Sequence, residues 1–269
     1  MEVKGADSKQ VTRREFLAGA GGFAAGAAVG AVLGGGVFNL VPAVQAAEAV
    51  PGGPWPYVKL DPEVVRRKGY DYYWQGGCMY GAGRAIIEAL REKVGSPYDL
   101  FPLDMLRYGA AGIAGWGTIC GALNGSCAAI NLVTPNADVA KIAGELLGWY
   151  TNQPFPSKAH DAYAKFKDQK QSAANSPLCH ASVSKWCAAS GFKESSAERK
   201  DRCAKLTGDV AAKAVELLNA YFDGKFAAAF KPSDATATCM GCHVGPQSSL
   251  ENSLGKMDCT PCHGDPHRK

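Results

Sequence analysis

Two short cysteine motifs near the C-terminus hold the residues whose chemistry is easiest to assign. Each has the form Cys-x-x-Cys-His, at residues 239–243 and 259–263. Two thiols at this spacing can each add to one vinyl group of a haem, and the following histidine is then carried under the iron as its proximal ligand. The motifs predict two haem c groups, bound through Cys239, Cys242, Cys259 and Cys262, with His243 and His263 as proximal ligands.

A structural zinc ribbon is the alternative, because two Cys-x-x-Cys pairs separated by sixteen residues also fit a four-thiolate zinc site. Zinc would leave the histidine after each pair unexplained. If haem is bound, the fifteen residues between His243 and Cys259 keep the two porphyrins close together. So short a segment cannot cover them, so we expect the cover to come from the rest of the chain, from a second subunit of a two-fold dimer, or from both.

Two six-coordinate haems would need two further ligands on their distal sides. Outside the motifs the sequence contains three histidines, His160, His180 and His267. We predict His160 and His180 as the distal ligands, with His267 as the alternative. His267 is the weakest candidate because it lies four residues after His263, in a charged terminus, and cannot reach the opposite face of the same haem.

The first 46 residues have the pattern of a twin-arginine export signal. Arg13-Arg14 precede a glycine- and alanine-rich apolar run over residues 18–40, which leads to a small-residue cleavage site at residues 44–46. An uncleaved membrane anchor is the alternative, since the run is long enough to span a bilayer. We predict a periplasmic mature protein that is not in the membrane. Because this route carries folded proteins and haem c is attached after export, its use suggests a second cofactor.

Composition limits the partners of the chain and its division into segments. The formal net charge is +4, and the sequence has no long basic run, which argues against a nucleic-acid partner. Rich in proline and aromatic residues, the stretch after the signal predicts an extended arm along its own domain or a neighbouring subunit. The predicted segments are the signal (1–46), the arm (47–60), a helical domain (61–224) and a dihaem-binding segment (225–269).

Helical periodicity and capping residues run through the middle of the chain. The first helix is predicted to start at Asp61, with Pro62 in its first turn, and to be interrupted by Gly76-Gly77. Sustained two-residue alternation is absent, so the predicted fold class is all-α, with a mostly irregular C-terminal segment. Further helices are predicted after Cys120, over 138–150, over 157–169, and from a capping box at 195–198 through Phe222.

Six of the ten cysteines lie outside the haem motifs: Cys78, Cys120, Cys127, Cys179, Cys187 and Cys203. Disulfides are the usual state of spare cysteines in an exported protein. However, Cys78 and Cys120 each stand beside glycine at a predicted helix start. The free N–H groups and positive dipole end there favour a thiolate and an anionic cluster.

The non-haem cysteines and their glycine-rich surroundings resemble the redox family named for a C-GCAxxG-C-C pattern. The resemblance rests on Gly77-Cys78, on residues 120–125 (CGALNG), on the Cys179/Cys187 pair and on Cys203. Joined to the two haem motifs, residues 60–269 resemble the split-Soret cytochromes c. The resemblance implies a periplasmic homodimer with two closely stacked haems per subunit and an iron–sulfur site of the [2Fe–2S] or [4Fe–4S] type. It implies cluster ligands Cys78, Cys120, Cys179 and Cys203, with Cys187 and Cys127 as alternatives.

These observations favour an electron carrier, which passes electrons between redox partner proteins, over an enzyme. Histidine on both faces of a haem closes the iron to substrates and favours a low potential. No catalytic triad, carboxylate pair or nucleotide-binding motif is present. The alternatives are a small-molecule reductase or redox sensor that uses an open cluster or haem site, and a structural protein held by zinc and disulfides.

Overall fold

The computed structural model describes residues 50–249 and 251–264. The predicted signal, residues 1–46, and the alternative ligand His267 lie outside these ranges. Across the described ranges, no helix combines the length and the apolar character needed to cross a bilayer.

The fold is all-α, which confirms the predicted class. Among the described residues one small sheet interrupts it, where β1 (Pro154–Phe155) pairs antiparallel with β2 (Ser172–Ala173). Three short 3-10 helices in the same part of the chain cover Tyr98–Leu100, Leu103–Gly109 and Lys158–His160. The helices are α1 (Pro62–Val94), α2 (Gly121–Val133), α3 (Asn136–Asn152), α4 (Cys179–Ser190), α5 (Ala197–Phe222), α6 (Asp234–His243) and α7 (Thr260–His263).

Helix α1 begins and bends where the sequence predicts. The Asp61 carboxylate accepts hydrogen bonds from the backbone N–H groups of Glu63 and Val64, and so satisfies donors that have no partner within the helix. Gly77 has φ +82° and ψ −171°, which breaks the helical path. Only glycine adopts such a conformation without strain. The second half of α1 therefore starts at Cys78.

Residues 50–224 are called the body below. Helices α1, α2 and α5 form its centre. Ile86, Ile87 and Leu90 of α1 are fully buried in the same core as Val210 and Val215 of α5. Burying each of these side chains contributes roughly 1.5–3 kcal/mol.

Two facing glycines bring α1 and α5 into close contact. A Cβ atom on Gly69 would lie 2.9 Å from the Cα of Gly208, which is closer than real Cβ atoms approach. The close crossing leaves no room for a side chain at this point, and it fixes how α5 lies across the first half of α1.

The arm before α1 lies along its own domain, which is one of the two arrangements the sequence allowed. Residues 50–61 are extended. Trp55 is 5% exposed, and its backbone N–H donates to Leu132 O at 2.8 Å. The Tyr57 hydroxyl donates to Asn219 Oδ1 at 2.8 Å. The arm thus ties α2 to the end of α5.

The helix predicted over residues 157–169 is wrong. Only Lys158–His160 forms a helical turn there, because buried side chains of α5 satisfy the backbone groups of this segment. The Asp201 carboxylate accepts from the N–H groups of Lys165 and Phe166, at 3.3 and 3.2 Å. The buried Lys205 ammonium donates to the Phe166 carbonyl oxygen. Charged side chains therefore replace the helical hydrogen bonds.

After α5 the chain returns across α3, and residues 225–264 are called the tail below. The Glu145 carboxylate accepts from the backbone N–H groups of Ala229 and Phe230 at 2.7 and 2.6 Å. The Phe230 ring occupies the space beside Gly148, where any Cβ atom would overlap it. Further along, the Ser176 hydroxyl lies 3.8 Å from the Met257 sulfur. These contacts hold the tail against the body.

Candidate metal centre and haem-attachment site

A cavity of about 580 Å³ lies between the kink of α1, the start of α2 and helices α4 and α5. We call it the cysteine cavity. Each of these elements contributes at least one thiol to its wall. The structure brings together five cysteines that are distant in sequence: Cys78, Cys120, Cys179, Cys187 and Cys203.

Backbone pairing places Cys120 beside Cys179. Ile119 and Leu178 form an isolated antiparallel bridge. Cys120 N–H donates to Pro177 O at 2.9 Å, and Cys179 N–H donates to Thr118 O at 2.7 Å. Two cysteines 59 positions apart in the numbering therefore directly follow the bridged residues, each at the start of a helix.

The loop over residues 110–117 forms another wall of the cavity. Ala111, Gly112, Ile113, Ala114 and Gly115 all have φ between +48° and +85°. For residues with a side chain this left-handed conformation is strained, most of all for the β-branched isoleucine. The turn brings the backbone N–H of Ala111 to the Cys78 sulfur.

The thiols that line the cavity differ in pKa. A hydrogen bond to Cys120 and complete burial raise the pKa of Cys78 well above its usual value. The same hydrogen bond lowers the pKa of Cys120, with further contributions from the Tyr150 hydroxyl and the Ala122 N–H. Burial raises the pKa of Cys179 to about 12. The hydrogen bond between the two sulfurs therefore favours the charged form of Cys120 and disfavours that of Cys78.

Cys127, one of the two alternative cluster ligands, does not line the cysteine cavity. It is half-buried within α2, and burial raises its pKa to about 11. The other alternative, Cys187, does line the cavity. Within residues 50–249 and 251–264, no three His, Cys, Asp or Glu side chains are grouped tightly enough to hold a single metal ion; the cysteines surround a space.

The two haem motifs lie side by side in the tail. Cys239, Cys242 and His243 are on α6, whereas Cys259, Cys262 and His263 are on α7 or immediately before it. Cys242 and Cys262 are exposed. Partial burial and then the neighbouring Cys239 thiol raise the pKa of Cys259, so the first cysteines of the two motifs are in contact.

One carboxylate joins the segments that lead into the two motifs. Asp258, just before the second motif, accepts from the hydroxyls of Ser233 and Thr236 at the start of α6, the latter at 2.9 Å. These hydrogen bonds and the positive charge of Lys185 lower the pKa of Asp258. Lys185 is on α4, between Cys179 and Cys187. The haem motifs therefore lie near the helix that carries two thiols of the cysteine cavity.

The predicted distal ligands are placed very differently. His160 lies inside the body. It is fully buried, with Nε2 3.0 Å from Asp209 Oδ1 and Nδ1 2.9 Å from the Tyr163 hydroxyl. Both ring nitrogens are engaged inside the body, so neither is available to an iron in this arrangement. His180 is exposed at the start of α4 and lines the cysteine cavity.

Sequence reasoning missed the polar residues that accompany the cysteines. Arg199, Arg202 and Ser182 line the cavity, and the buried Tyr150 lies behind it, beside Cys120. Arg202 is adjacent to Cys203 on the buried face of α5, where the helical period places an apolar residue. A charged residue at such a position is the signal that could have identified it.

The chain resembles known redox proteins in sequence and in structure. Residues 80–217 match the family described as "Putative redox-active protein (C_GCAxxG_C_C)". The split-Soret cytochrome c of Desulfovibrio desulfuricans (strain ATCC 27774 / DSM 6949 / MB) is 39% identical over 269 aligned residues, covering 94% of both chains. A solved structure described as "A novel iron centre in the split-Soret cytochrome c from Desulfovibrio desulfuricans ATCC 27774" matches with a TM-score of 0.74 and 38% identity. It covers 79% of this chain and 91% of that chain.

These matches establish the class of the protein, which is a c-type cytochrome acting in electron transfer. The chain belongs to the split-Soret cytochrome c family. The resemblance inferred from the haem motifs and the non-haem cysteines is confirmed. Cys78 stands two residues before the part of the chain that matches the redox-active family.

Proposed function

We propose that the protein is a periplasmic electron carrier with two haem c groups in the tail and an iron–sulfur centre in the cysteine cavity. Cys239 and Cys242 would hold one haem, with His243 below its iron. Cys259 and Cys262 would hold the other, with His263 as the proximal ligand. Haem and iron–sulfur centres supply one-electron redox chemistry, and the protein holds, orients and shields them.

The observation that carries this proposal is that five thiols line one cavity. Soft thiolates are the usual ligands of iron–sulfur clusters, which need four. Cys120, with its lowered pKa, is suited to bind iron as a thiolate. Cys78, Cys179 and Cys203 complete the proposed set, and Cys187 remains a possible replacement for one of them.

Two buried groups, one in the cavity wall and one behind it, also fit an anionic occupant. The buried Arg202 Nε forms no hydrogen bond within the described residues, and the buried Tyr150 hydroxyl, although beside the Cys120 sulfur, forms no well-aligned one. Buried polar groups without partners are costly, and an anionic group in the cavity would satisfy such donors. The residues present therefore fit an iron–sulfur cluster.

We propose a homodimer because the tail alone cannot cover two haems. Cys242, His243, Cys262 and His263 are all exposed, and burying the porphyrins requires apolar surface from outside the tail. A second copy related by two-fold symmetry supplies it to both subunits at once. In this arrangement His180 remains our distal-ligand candidate, to its own subunit's haem or to the partner's. The redox partners would be proteins that dock near the exposed haem edges.

Iron analysis and spectroscopy test the proposal on protein exported through its native route. Mass spectrometry should find both motifs linked to haem. Iron should exceed the haem content and be accompanied by acid-labile sulfide, and the ferric haems should be low-spin. Haem-free motif cysteines would refute the electron-carrier proposal. High-spin haem that binds carbon monoxide would instead support the reductase or sensor function, and iron equal to the haem content would refute the additional centre.

A further inference from the structure

Arg202 is a buried cation on the wall of the cysteine cavity, and it forms no ion pair with any carboxylate of the described residues. The residue is 1% exposed. Its Nη2 donates to the Ser182 hydroxyl at 2.8 Å, and its Nη1 lies 3.9 Å from the Cys203 sulfur. Within the described residues its Nε has no hydrogen-bond partner. A guanidinium stays protonated in proteins, so an anion must balance it if burial is to be tolerated.

Its neighbour Arg199 differs in this respect. Arg199 also lines the cavity, with Nη1 4.0 Å from the Cys203 sulfur. However, its Nη2 forms an ion pair with Glu194 Oε1 at 2.6 Å, and that glutamate lines the cavity too. The Arg199 charge is therefore largely balanced by the protein itself. Arg202 has no such counter-ion among the described residues, so an anion bound in the cavity would balance its charge.

Tyr150 supplies a second donor from the same side. The residue is fully buried. Its hydroxyl lies beside the Cys120 sulfur and the Ser182 hydroxyl, yet it forms no well-aligned hydrogen bond with any described residue. Ser182 is also the partner of Arg202. Tyr150, Ser182 and Arg202 therefore form one buried polar cluster next to the thiols.

We propose that Arg202 and Tyr150 set the reduction potential of the metal centre, Arg202 as its counter-charge and Tyr150 as a hydrogen-bond donor to its sulfur ligands. This inference rests on the proposed iron–sulfur centre. Reduction adds one electron and one negative charge to the centre, and no proton is taken up because the guanidinium is already charged. A nearby cation and hydrogen bonds to sulfur stabilise the more negative, reduced form, and they therefore raise the potential.

The test is a redox titration of the non-haem centre, followed by electron paramagnetic resonance, with dithionite as reductant. Arg202→Met removes the charge, whereas Arg202→Lys keeps it. Tyr150→Phe removes only the hydroxyl. Tyr98→Phe is the matched control, because Tyr98 is also fully buried and its hydroxyl donates to Pro56 O at 2.5 Å, away from the cavity.

We expect Arg202→Met to decrease the equilibrium constant for reduction of the centre about tenfold or more. For a one-electron couple this lowers the midpoint potential by about 59 mV. Arg202→Lys should lower the potential by a smaller amount, because it keeps the charge. Tyr150→Phe should give a smaller decrease, and Tyr98→Phe none. The haem midpoints should change less than that of the centre in the Arg202 and Tyr150 variants.

Potentials of Arg202→Met and Tyr150→Phe that equal the wild-type value would refute the inference while leaving the electron-carrier function intact. The same holds if Tyr98→Phe shifts the potential as much as Tyr150→Phe does. Should Arg202→Met fail to retain the centre, Arg202→Lys and Tyr150→Phe decide the question. Wild-type protein without non-haem iron would refute the centre itself, and that result is obtained before any variant is made.

Discussion

Two glycines on one helix allow the docking of the tail to be measured. Gly144 and Gly148 are one turn apart on α3. A Cβ atom on Gly144 meets nothing within 4 Å, whereas one on Gly148 would overlap the Phe230 ring, with Cε2 at 2.8 Å. Replacing either glycine by alanine improves helix propensity by about 0.8–1 kcal/mol. Only Gly148→Ala also forces the ring aside, at a cost of about 1–3 kcal/mol for overpacking.

We therefore expect Gly144→Ala to stabilise the protein by up to about 1 kcal/mol. Gly148→Ala should be about 1–3 kcal/mol less stable than Gly144→Ala, since the two share the propensity gain. Denaturation followed by far-ultraviolet circular dichroism measures the stabilities, and limited proteolysis reports release of the tail. Gly148→Ala should be cleaved faster between α5 and α6. Equal stability and equal cleavage rates in the two variants would show that Phe230 does not dock the tail at Gly148.

Three further predictions concern individual side chains. Cys120→Ala should abolish the non-haem iron, whereas Cys127→Ala should retain it, as measured by iron analysis; equal loss from both would contradict the assignment. His160→Gln should lower the unfolding free energy but leave the low-spin haem spectrum unchanged, and a high-spin haem would restore His160 as a ligand. Burial alone would raise the pKa of Asp209, but hydrogen bonds from His160 and Ser157 hold it below the usual value. Its stabilising contribution is thus complete above about pH 3.9 and is lost as the pH falls through the lowered pKa. Asp209→Asn should cost about 3–5 kcal/mol at neutral pH and flatten the acid limb of the stability curve; an unchanged acid limb would contradict this.

Local signals predicted much of the fold because they act within a few residues. The cap at Asp61, the break at Gly77 and the start of α2 at Cys120 all depend on backbone geometry that the sequence encodes directly. The helix from the capping box is also present, although its cap is Ser196, whose side chain accepts from Arg199 N–H.

The errors arose where distant residues decide the outcome. The segment after Pro156 has helical spacing, but Asp201 and Lys205, more than thirty positions away, bind its backbone groups. The sequence also did not show that His160 contacts Asp209, because the two residues are 49 positions apart. The same limit hid Arg202, since a helical pattern shows that a residue is buried but not which cavity it faces.

The core and the haem motifs lie in separate parts of the chain, and this affects the order in which the protein folds and receives haem. Every member of the main hydrophobic core, among the residues described, precedes residue 219, and the tail begins only after α5. Packing of that core can therefore be completed while the later thiols are still unmodified. Cys242 and Cys262 remain exposed, within reach of a haem-attaching machinery after the interior has closed. Folding of the body and attachment of haem c can thus be separate steps.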